Sequence, residues 1–357
     1  MSNLDRLKEA LQKADIGAML ITGTASVQWL TGFTGSFGNA LVLPEGSCFL
    51  TDSRYTIQAA EQVSELPTKS FRSPQKFEGF LADVVKETGL TRLAFDQNHV
   101  TVGTLAKWQK AMPDVEFVPE NDPIEKLREI KSADEVSRIR GACQLTDEAL
   151  KVLLEQTRPG VKEVELFWAL EDFLRPHGAT LSFDPIIVSG PKTARPHGEP
   201  GDRVIERGDF VTFDIGARLD GYCSDITRTV VVGPATERQR EVYEQLLKAQ
   251  VACVEAMKPG ASSKAVDTLA RTILDEKDLA QYFGHGLGHG LGALVHDSGR
   301  LSQTVDQEIE VGQVWTIEPG VYIEGFGGIR IEDDIVITEE GNDVLTAFPK
   351  DLIELPC

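Results

Sequence analysis

The sequence has little positive charge and no long apolar run. Its 36 lysines and arginines are outnumbered by 56 aspartates and glutamates, which gives a formal net charge of −20 at pH 7. Nucleic acids and anionic membranes bind basic surfaces, so we expect neither as a partner. No apolar stretch reaches the roughly 18 residues that cross a bilayer. The first residues, MSNLDRLKEALQK, lack the apolar core of a secretory signal, which predicts a cytoplasmic protein.

Cysteine is also sparse. The 357 residues include five cysteines, which are widely separated and form no CxxC pair. An odd number of scattered thiols predicts reduced side chains, and it argues against a disulfide framework or a thiolate metal site. No tandem repeat of about 20–50 residues is visible, which excludes the common solenoid architectures.

The remaining composition is that of a globular protein long enough for two domains. In the first third of the chain, short apolar runs such as residues 18–21 alternate with helical patterns, which predicts a compact α/β domain. The polar segment 119–132, PENDPIEKLREIKS, contains two prolines and predicts a boundary. We therefore expect a domain at 1–122 and a larger one at 123–357, in a chain of the α+β class.

The stretch from Val211 to Thr229 predicts a β-hairpin. Its residues alternate between apolar and polar, and Asp220-Gly221 is a strong signal for a tight turn. In an antiparallel pair with an even-numbered turn, Asp214 and Asp225 share one face, about 4.5–8 Å apart. Two such carboxylates repel each other, and a divalent cation would relieve the repulsion. The alternative is a pair of solvated carboxylates on an exposed sheet face.

Other segments offer further metal ligands. In GHGLGHGLG (284–292), five glycines make a helix costly, at about 1 kcal/mol each, so we predict a flexible loop that brings one imidazole to a metal. The alternative is a turn whose histidines face water. Glu318 ends the predicted strand VWTIE, and Glu332 lies in the alternating segment GIRIEDD. Four carboxylates and one imidazole suit two divalent ions, and ligation rich in oxygen favours harder metals such as Mn²⁺.

The order of these motifs resembles that of a known family. FDIGA, DGYCSDITRT, GHGLGHGLG, TIEPG and GIRIEDD follow one another as in the pita-bread metallopeptidases, which include methionine aminopeptidase, aminopeptidase P and prolidase. SGPKTARPHG (189–198), TGFTGS (31–36) and DSRY (52–55) resemble the Xaa-Pro branch of that family. The resemblance covers nearly the whole chain. It implies a pita-bread catalytic domain preceded by a smaller creatinase-like α/β domain.

The resemblance also implies a role for each matched residue. Five would bind two divalent ions, expected to be Mn²⁺ with Co²⁺ or Zn²⁺ as alternatives: Asp214, Asp225, His289, Glu318 and Glu332. Among them, Asp225 and Glu332 would bridge the two ions.

Four further residues are predicted in the substrate pocket. His197 resembles the histidine that orients the scissile peptide, and His296 resembles the one that donates to the developing oxyanion. His285 and Arg330 are additional candidates for substrate contact. Glu318, besides binding metal, is the candidate proton shuttle. Relatives commonly carry His-Glu where this chain has His296-Asp297.

The activity implied is hydrolysis of the peptide bond that precedes proline. The short first domain favours an Xaa-Pro aminopeptidase, which releases the N-terminal residue of a proline-containing peptide. The main alternative is a prolidase, which splits Xaa-Pro dipeptides. A metal-free creatinase and a non-catalytic peptide-binding module are further alternatives, but the complete ligand set argues against both. The resemblance also implies a homodimer.

Overall fold

The computed structural model describes residues 2–121 and 123–357. Its internal contacts divide the chain into two compact units, Met1–Arg128 and Glu129–Cys357. The predicted boundary follows residue 122 and therefore precedes the helix Pro123–Glu129. Ile124 of that helix is fully buried in the core of the first unit, which is why the division by contacts falls later. Both units mix helices and strands, and the predicted α+β class is confirmed.

The first unit is built around one mixed sheet. Its elements are α1 (Asn3–Lys13), β1 (Met19–Ile21), α2 (Thr24–Thr31), β2 (Gly38–Val42), β3 (Cys48–Asp52), α3 (Thr56–Gln62), β4 (Thr68–Phe71), α4 (Phe77–Thr88), β5 (Arg92–Asp96), α5 (Val102–Ala111), β6 (Glu116–Glu120) and α6 (Pro123–Glu129). The strand order is β4-β3-β2-β1-β5-β6. Met19 and Ile21 enter one apolar cluster and Leu20 enters another, because alternate residues of a strand point to opposite faces. The central strand is therefore buried on both sides.

The second unit contains helix pairs packed on antiparallel sheets. Its elements are α7 (Ala133–Gln156), α8 (Glu163–Leu174), β7 (Thr180–Leu181), β8 (Ile186–Ser189), β9 (Phe210–Ile215), β10 (Ala217–Leu219), β11 (Tyr222–Cys223), β12 (Ile226–Val232), α9 (Glu237–Ala256), α10 (Ser263–Asp275), β13 (Gly288–Gly290), β14 (Asp297–Leu301), β15 (Val314–Ile317), β16 (Gly320–Ile323), β17 (Gly327–Arg330), β18 (Asp333–Ile337), β19 (Asn342–Val344) and β20 (Glu354–Leu355). No helix among the described residues is long and apolar enough to cross a membrane.

This unit consists of two similar halves. Helices α7 and α8 cover the sheet β20-β12-β9-β8, and α9 and α10 cover the sheet β14-β13-β15-β18-β19. A Pro-Gly dipeptide joins the two helices of each pair. Gly160 donates its N–H to Ile205 O, and Gly260 donates to Ile309 O in the same way. Both glycines have positive φ, 96° and 81°, where a side chain would be strained. The period of this repeat is much longer than the roughly 20–50 residues of the common solenoid repeats.

The predicted hairpin forms and sets the register of the site. Asp220 and Gly221 both have positive φ, 48° and 83°, as a type I′ turn requires. Strands β9 and β12 pair with Asp214 opposite Thr227. Asp225 precedes Thr227 by two residues, so the two aspartates are diagonal neighbours on one face.

Candidate metal-binding active site

A cavity of about 810 Å³ opens in the second unit. Its volume is within the range of small-molecule sites. All of the residues singled out in the sequence line it: His197, Asp214, Asp225, His285, His289, His296, Glu318, Arg330 and Glu332. The fold therefore brings together segments that are more than a hundred residues apart. The individual role of each residue stays a prediction.

Four of these side chains form a compact cluster at the wall of the cavity. Ligand atoms of Asp225, His289 and Glu332 all lie within 4.8 Å of one another. His289 Nε2 is 3.7 Å from Asp225 Oδ2 and 3.4 Å from Glu318 Oε1. The hydroxyl of Thr227 donates to Glu332 Oε2 at 2.6 Å and so orients one carboxylate from behind.

Burial and neighbouring carboxylates both disfavour ionisation of the acidic groups in the cluster. Burial, followed by the neighbouring Glu332, raises the pKa of Asp225 well above its usual value. Burial and Glu318 do the same to the pKa of Glu332. The pKa of Glu318 is raised to about 8, mainly by burial, although Arg330 opposes the shift. Burial lowers the pKa of His289 to about 3, so its ring is neutral near pH 7 and carries a free lone pair.

The cluster fits divalent metal ions. Its donors are carboxylate oxygens and one neutral imidazole, the set that harder divalent ions accept. Asp225 Oδ1 is buried and has no hydrogen-bond partner, although buried polar atoms are normally paired. A cation would satisfy this oxygen and offset both the burial and the mutual repulsion that raise the carboxyl pKa values.

The glycines around His289 have a different function from the one predicted. His289 lies on strand β13, not in a flexible loop. A Cβ atom at Gly288 would lie 2.0 Å from Thr316 O, and one at Gly290 would lie 1.9 Å from Ser298 O. The absence of side chains therefore allows the neighbouring strands to approach closely. The expectation of a pliable loop is wrong, because close packing explains the glycines.

Arg330 is held firmly in the cavity wall. It is 4% exposed and forms an ion pair with Asp214. Its Nη1 donates to Tyr322 Oη at 2.6 Å, and its Nε donates to Thr227 Oγ1 at 3.1 Å. The guanidinium thus fixes Asp214, and the predicted contact of Arg330 with substrate remains untested.

The three other histidines that line the cavity differ in their surroundings. The ring of His285 lies between Tyr322 Oη, 2.9 Å from Nε2, and Gly286 O, 2.8 Å from Nδ1, and burial lowers its pKa to about 4. His296 is exposed, and its ring centroid lies 4.4 Å from that of His289. Desolvation, followed by the charge of Arg300, lowers the pKa of His296. His197 is exposed on the segment that links β8 to β9.

The cavity also contains residues that the sequence analysis missed. Arg300 lies on the lining, and so do the aromatic side chains of Trp168 and Phe183. Trp168 is 58% exposed, which is unusual for an indole ring. None of these residues belongs to a recognisable motif, and only the folded chain brings them to the cavity.

Comparison with known proteins places this site in a family. The model of metallopeptidase family M24 matches residues 137–339, and that of the creatinase/prolidase N-terminal domain matches residues 3–130. A Xaa-Pro dipeptidase from Pyrococcus horikoshii is 37% identical over 98% of this chain and 97% of its own. The structure of a Xaa-Pro dipeptidase from Bacillus anthracis covers 99% of both chains, with 41% identity and a TM-score of 0.95. That of an X-Pro aminopeptidase from Thermotoga maritima covers 97% of this chain and 99% of its own, with 33% identity and a TM-score of 0.91.

These matches confirm the resemblance and the predicted arrangement of a pita-bread catalytic domain after a creatinase-like domain. They also confirm that the protein is an enzyme. The family implies divalent metal ions, in agreement with the cluster described above. The chain belongs to metallopeptidase family M24 and is a metal-dependent peptidase.

Proposed function

We propose that this protein is a Xaa-Pro dipeptidase, which hydrolyses the single peptide bond of dipeptides that end in proline. The observation that carries the proposal is the position of Arg300 on the cavity wall. Its Nη1 donates to the carbonyl oxygens of Asp297 and Gly299 at 3.0 and 2.8 Å. No carboxylate among the described residues forms an ion pair with it. A dipeptide has a free carboxylate next to its scissile bond, and this guanidinium is available to bind it.

The relatives support this reading over the aminopeptidase favoured in the sequence analysis. That preference rested on the short first domain. The Pyrococcus and Bacillus proteins named as dipeptidases match this chain over nearly its whole length, so they have a first domain of similar size. Domain length therefore does not favour the aminopeptidase. The activity of the Thermotoga protein makes cleavage of longer peptides the alternative to be tested.

We also propose that the cluster, together with Asp214, binds two divalent ions, expected to be Mn²⁺. The residues that would hold them are Asp214, Asp225, His289, Glu318 and Glu332. When bound, such ions polarise the peptide carbonyl and acidify water.

The chain's own residues would complete the reaction. Arg300 binds the carboxylate of proline and places the peptide bond at the cluster. Since the lowered pKa keeps His296 neutral, it offers a ring N–H to the oxyanion without adding a full charge. Glu318 would carry the proton to the leaving nitrogen. His197, exposed in the same cavity, orients the peptide.

The test compares Leu-Pro, its C-terminal amide and Leu-Pro-Leu with Mn²⁺ present and after chelation. A hydrogen bond to a charged group contributes about 1.5–3 kcal/mol, so the amide should lose about 10- to 100-fold in kcat/KM. Arg300→Met should remove this preference for the acid. Arg238→Met is the matched control, since Arg238 is 54% exposed and pairs with Glu241. A preference for the tripeptide would contradict the proposal in favour of the aminopeptidase, and inactivity on all three would contradict both readings.

A further inference from the structure

Glu163 is a fully buried carboxylate outside the metal cluster. It is the first residue of α8, and its exposed fraction is 0%. Burying an ionised carboxylate is costly unless every oxygen is paired. The contacts of Glu163 therefore show which part of the molecule this charge stabilises.

Both oxygens of Glu163 bind the ends of one segment. Oε1 accepts from the N–H of Ser189 at 2.7 Å and from its hydroxyl at 2.8 Å. Oε2 accepts from the Lys192 ammonium at 2.7 Å and from the N–H of Gly201 at 3.2 Å. Ser189 and Gly201 flank residues 190–200, which we call the His197 loop. One carboxylate thus closes this loop at its base.

The His197 loop forms one side of the active-site cavity. Besides His197, the loop residues Pro196, Gly198, Glu199 and Pro200 line the cavity. The base of the loop is reinforced by Arg203, which donates to Ser189 Oγ at 2.5 Å and pairs with Asp209. The position of the His197 ring therefore depends on contacts at the base of the loop.

The internal repeat shows that this carboxylate is not needed for the helix junction itself. The residue that corresponds to Glu163 in the second half is Ser263. Each donates its backbone N–H to the segment that returns past the helix junction, Glu163 to Arg203 O and Ser263 to Gln307 O, at 3.1 and 2.9 Å. Ser263 completes the junction with a short hydroxyl that accepts from Gln307. The longer acidic side chain of Glu163 instead contacts the loop and the residues that flank it.

We infer that Glu163 is a positioning residue, which anchors the His197 loop and thereby holds His197 in place for the substrate. The inference rests on the proposed function for the role of His197, but the anchoring itself does not. In Glu163→Gln, an amide of the same size replaces the carboxylate. Its NH₂ group would face donors that now bind an oxygen, so one end of the loop is released.

The first measurement is hydrogen–deuterium exchange of the metal-loaded protein without substrate. In Glu163→Gln, amides of residues 190–200 should exchange at least about tenfold faster, while the affinity for Mn²⁺ stays within about twofold of wild type. Lys192→Met removes one donor to the same carboxylate, and Lys192 is partly exposed, so this variant serves if Glu163→Gln does not fold. It should show the same faster exchange. Glu165→Gln is the control, because Glu165 lies in the same helical turn but is exposed and accepts from the N–H of Lys162 rather than from the loop. Unchanged exchange in both Glu163→Gln and Lys192→Met would overturn the inference.

The second measurement is a double-mutant cycle with His197→Ala. Misplacing a group by about 1 Å costs up to about 100-fold, so Glu163→Gln should lower kcat/KM on Leu-Pro by about 10- to 100-fold. If Glu163 acts through His197, the same substitution should cost less than about twofold in the His197→Ala background. If the two substitutions lower kcat/KM by independent factors that multiply in the double variant, Glu163 has a merely structural role and the inference is contradicted. A wild-type enzyme inactive on Leu-Pro would contradict the proposed function, and the exchange experiment would still decide whether Glu163 anchors the loop.

Discussion

The hydroxyl of Thr227 donates a 2.6 Å hydrogen bond to Glu332 Oε2, and both side chains are buried. Thr227 also lies opposite Asp214 in the β9–β12 pair and accepts from Arg330 Nε. One threonine is therefore in contact with a predicted bridging ligand and with the arginine that holds another ligand.

Thr227→Val should weaken metal binding. Valine has the same shape but no hydroxyl, so Glu332 loses the donor that orients it, and such contacts typically contribute 10- to 100-fold in metal affinity. Calorimetric titration of the metal-free protein with Mn²⁺ measures the change. Thr212→Val is the matched control, because Thr212 is also buried and its hydroxyl bonds the hydroxyl of Thr229. Equal affinities of the two variants would show that Thr227 does not orient Glu332.

The metal-free protein should lose stability as the pH rises from 6.5 to 8. In the folded state Glu318 keeps its proton up to about pH 8, whereas its ordinary pKa is 4.5, so folding becomes less favourable between these values. The histidines act in the opposite direction, since their lowered pKa values of about 3 and 4 favour folding as the pH rises, but only up to the ordinary value of 6.5. Above pH 6.5 the effect of the carboxyl group remains. The free energy of unfolding should fall by up to about 1.4 kcal/mol per pH unit for each proton released.

Urea denaturation of the chelated protein at pH 6.5, 7.2 and 8 measures this slope. Glu318→Gln, which has no carboxyl proton to lose, should have a smaller slope than wild type. Saturating Mn²⁺ should remove or reverse the slope in wild type, because a cation stabilises the ionised carboxylates. A metal-free stability that is constant or increases over this range would contradict the prediction.

Arg228→Met should destabilise the second unit strongly. The side chains of Arg228 and Asp333 are 2% and 1% exposed and form a 2.8 Å ion pair, and Arg228 also donates to backbone carbonyls, including that of Glu332. Burial alone would raise the pKa of Asp333. The charges of Arg228 and Lys350 outweigh burial and lower this pKa. Removing one partner of a buried pair typically costs about 3–5 kcal/mol.

The comparison is the exposed pair Arg238–Glu241, where Arg238→Met should cost less than about 1 kcal/mol of unfolding free energy. Urea denaturation of both variants in the metal-loaded form measures the two losses of unfolding free energy. Similar losses for the two substitutions would show that the buried pair contributes no more than a surface pair.

Elements that depend on neighbouring residues could be predicted. The β9–β12 hairpin follows from strand alternation and from the Asp220-Gly221 turn, and the start of α7 follows from the capping box of Ser132 and Glu135. Helix α2 is not predictable from neighbouring residues, for a physical reason. It is buried on most sides, and its N-cap Gly23 provides no side-chain bond, so it has neither an amphipathic stripe nor a capping signal.

The site was predictable only in part. Each candidate metal ligand belongs to a sequence motif, because it lies on or beside the strand that orients it. Arg300 and Glu163 belong to no sequence motif. The partners of Glu163 are distant in the sequence, and the proposed partner of Arg300 is the substrate. Glu163 binds the N–H of Gly201, 38 residues away, and Arg300 has a function only once a cavity exists beside it.

Residue chemistry along the chain thus predicted the acidic residues that line the cavity, the hairpin that places Asp214 and Asp225 on one face, and the family. Packing between distant segments decided that glycines bring β13 against its neighbours, that a carboxylate anchors the His197 loop, and that a guanidinium lines the cavity. The physical reason is the distance along the chain over which each interaction acts. Turn geometry and strand alternation act over a few residues, whereas burial and ion pairing depend on which segments meet after folding.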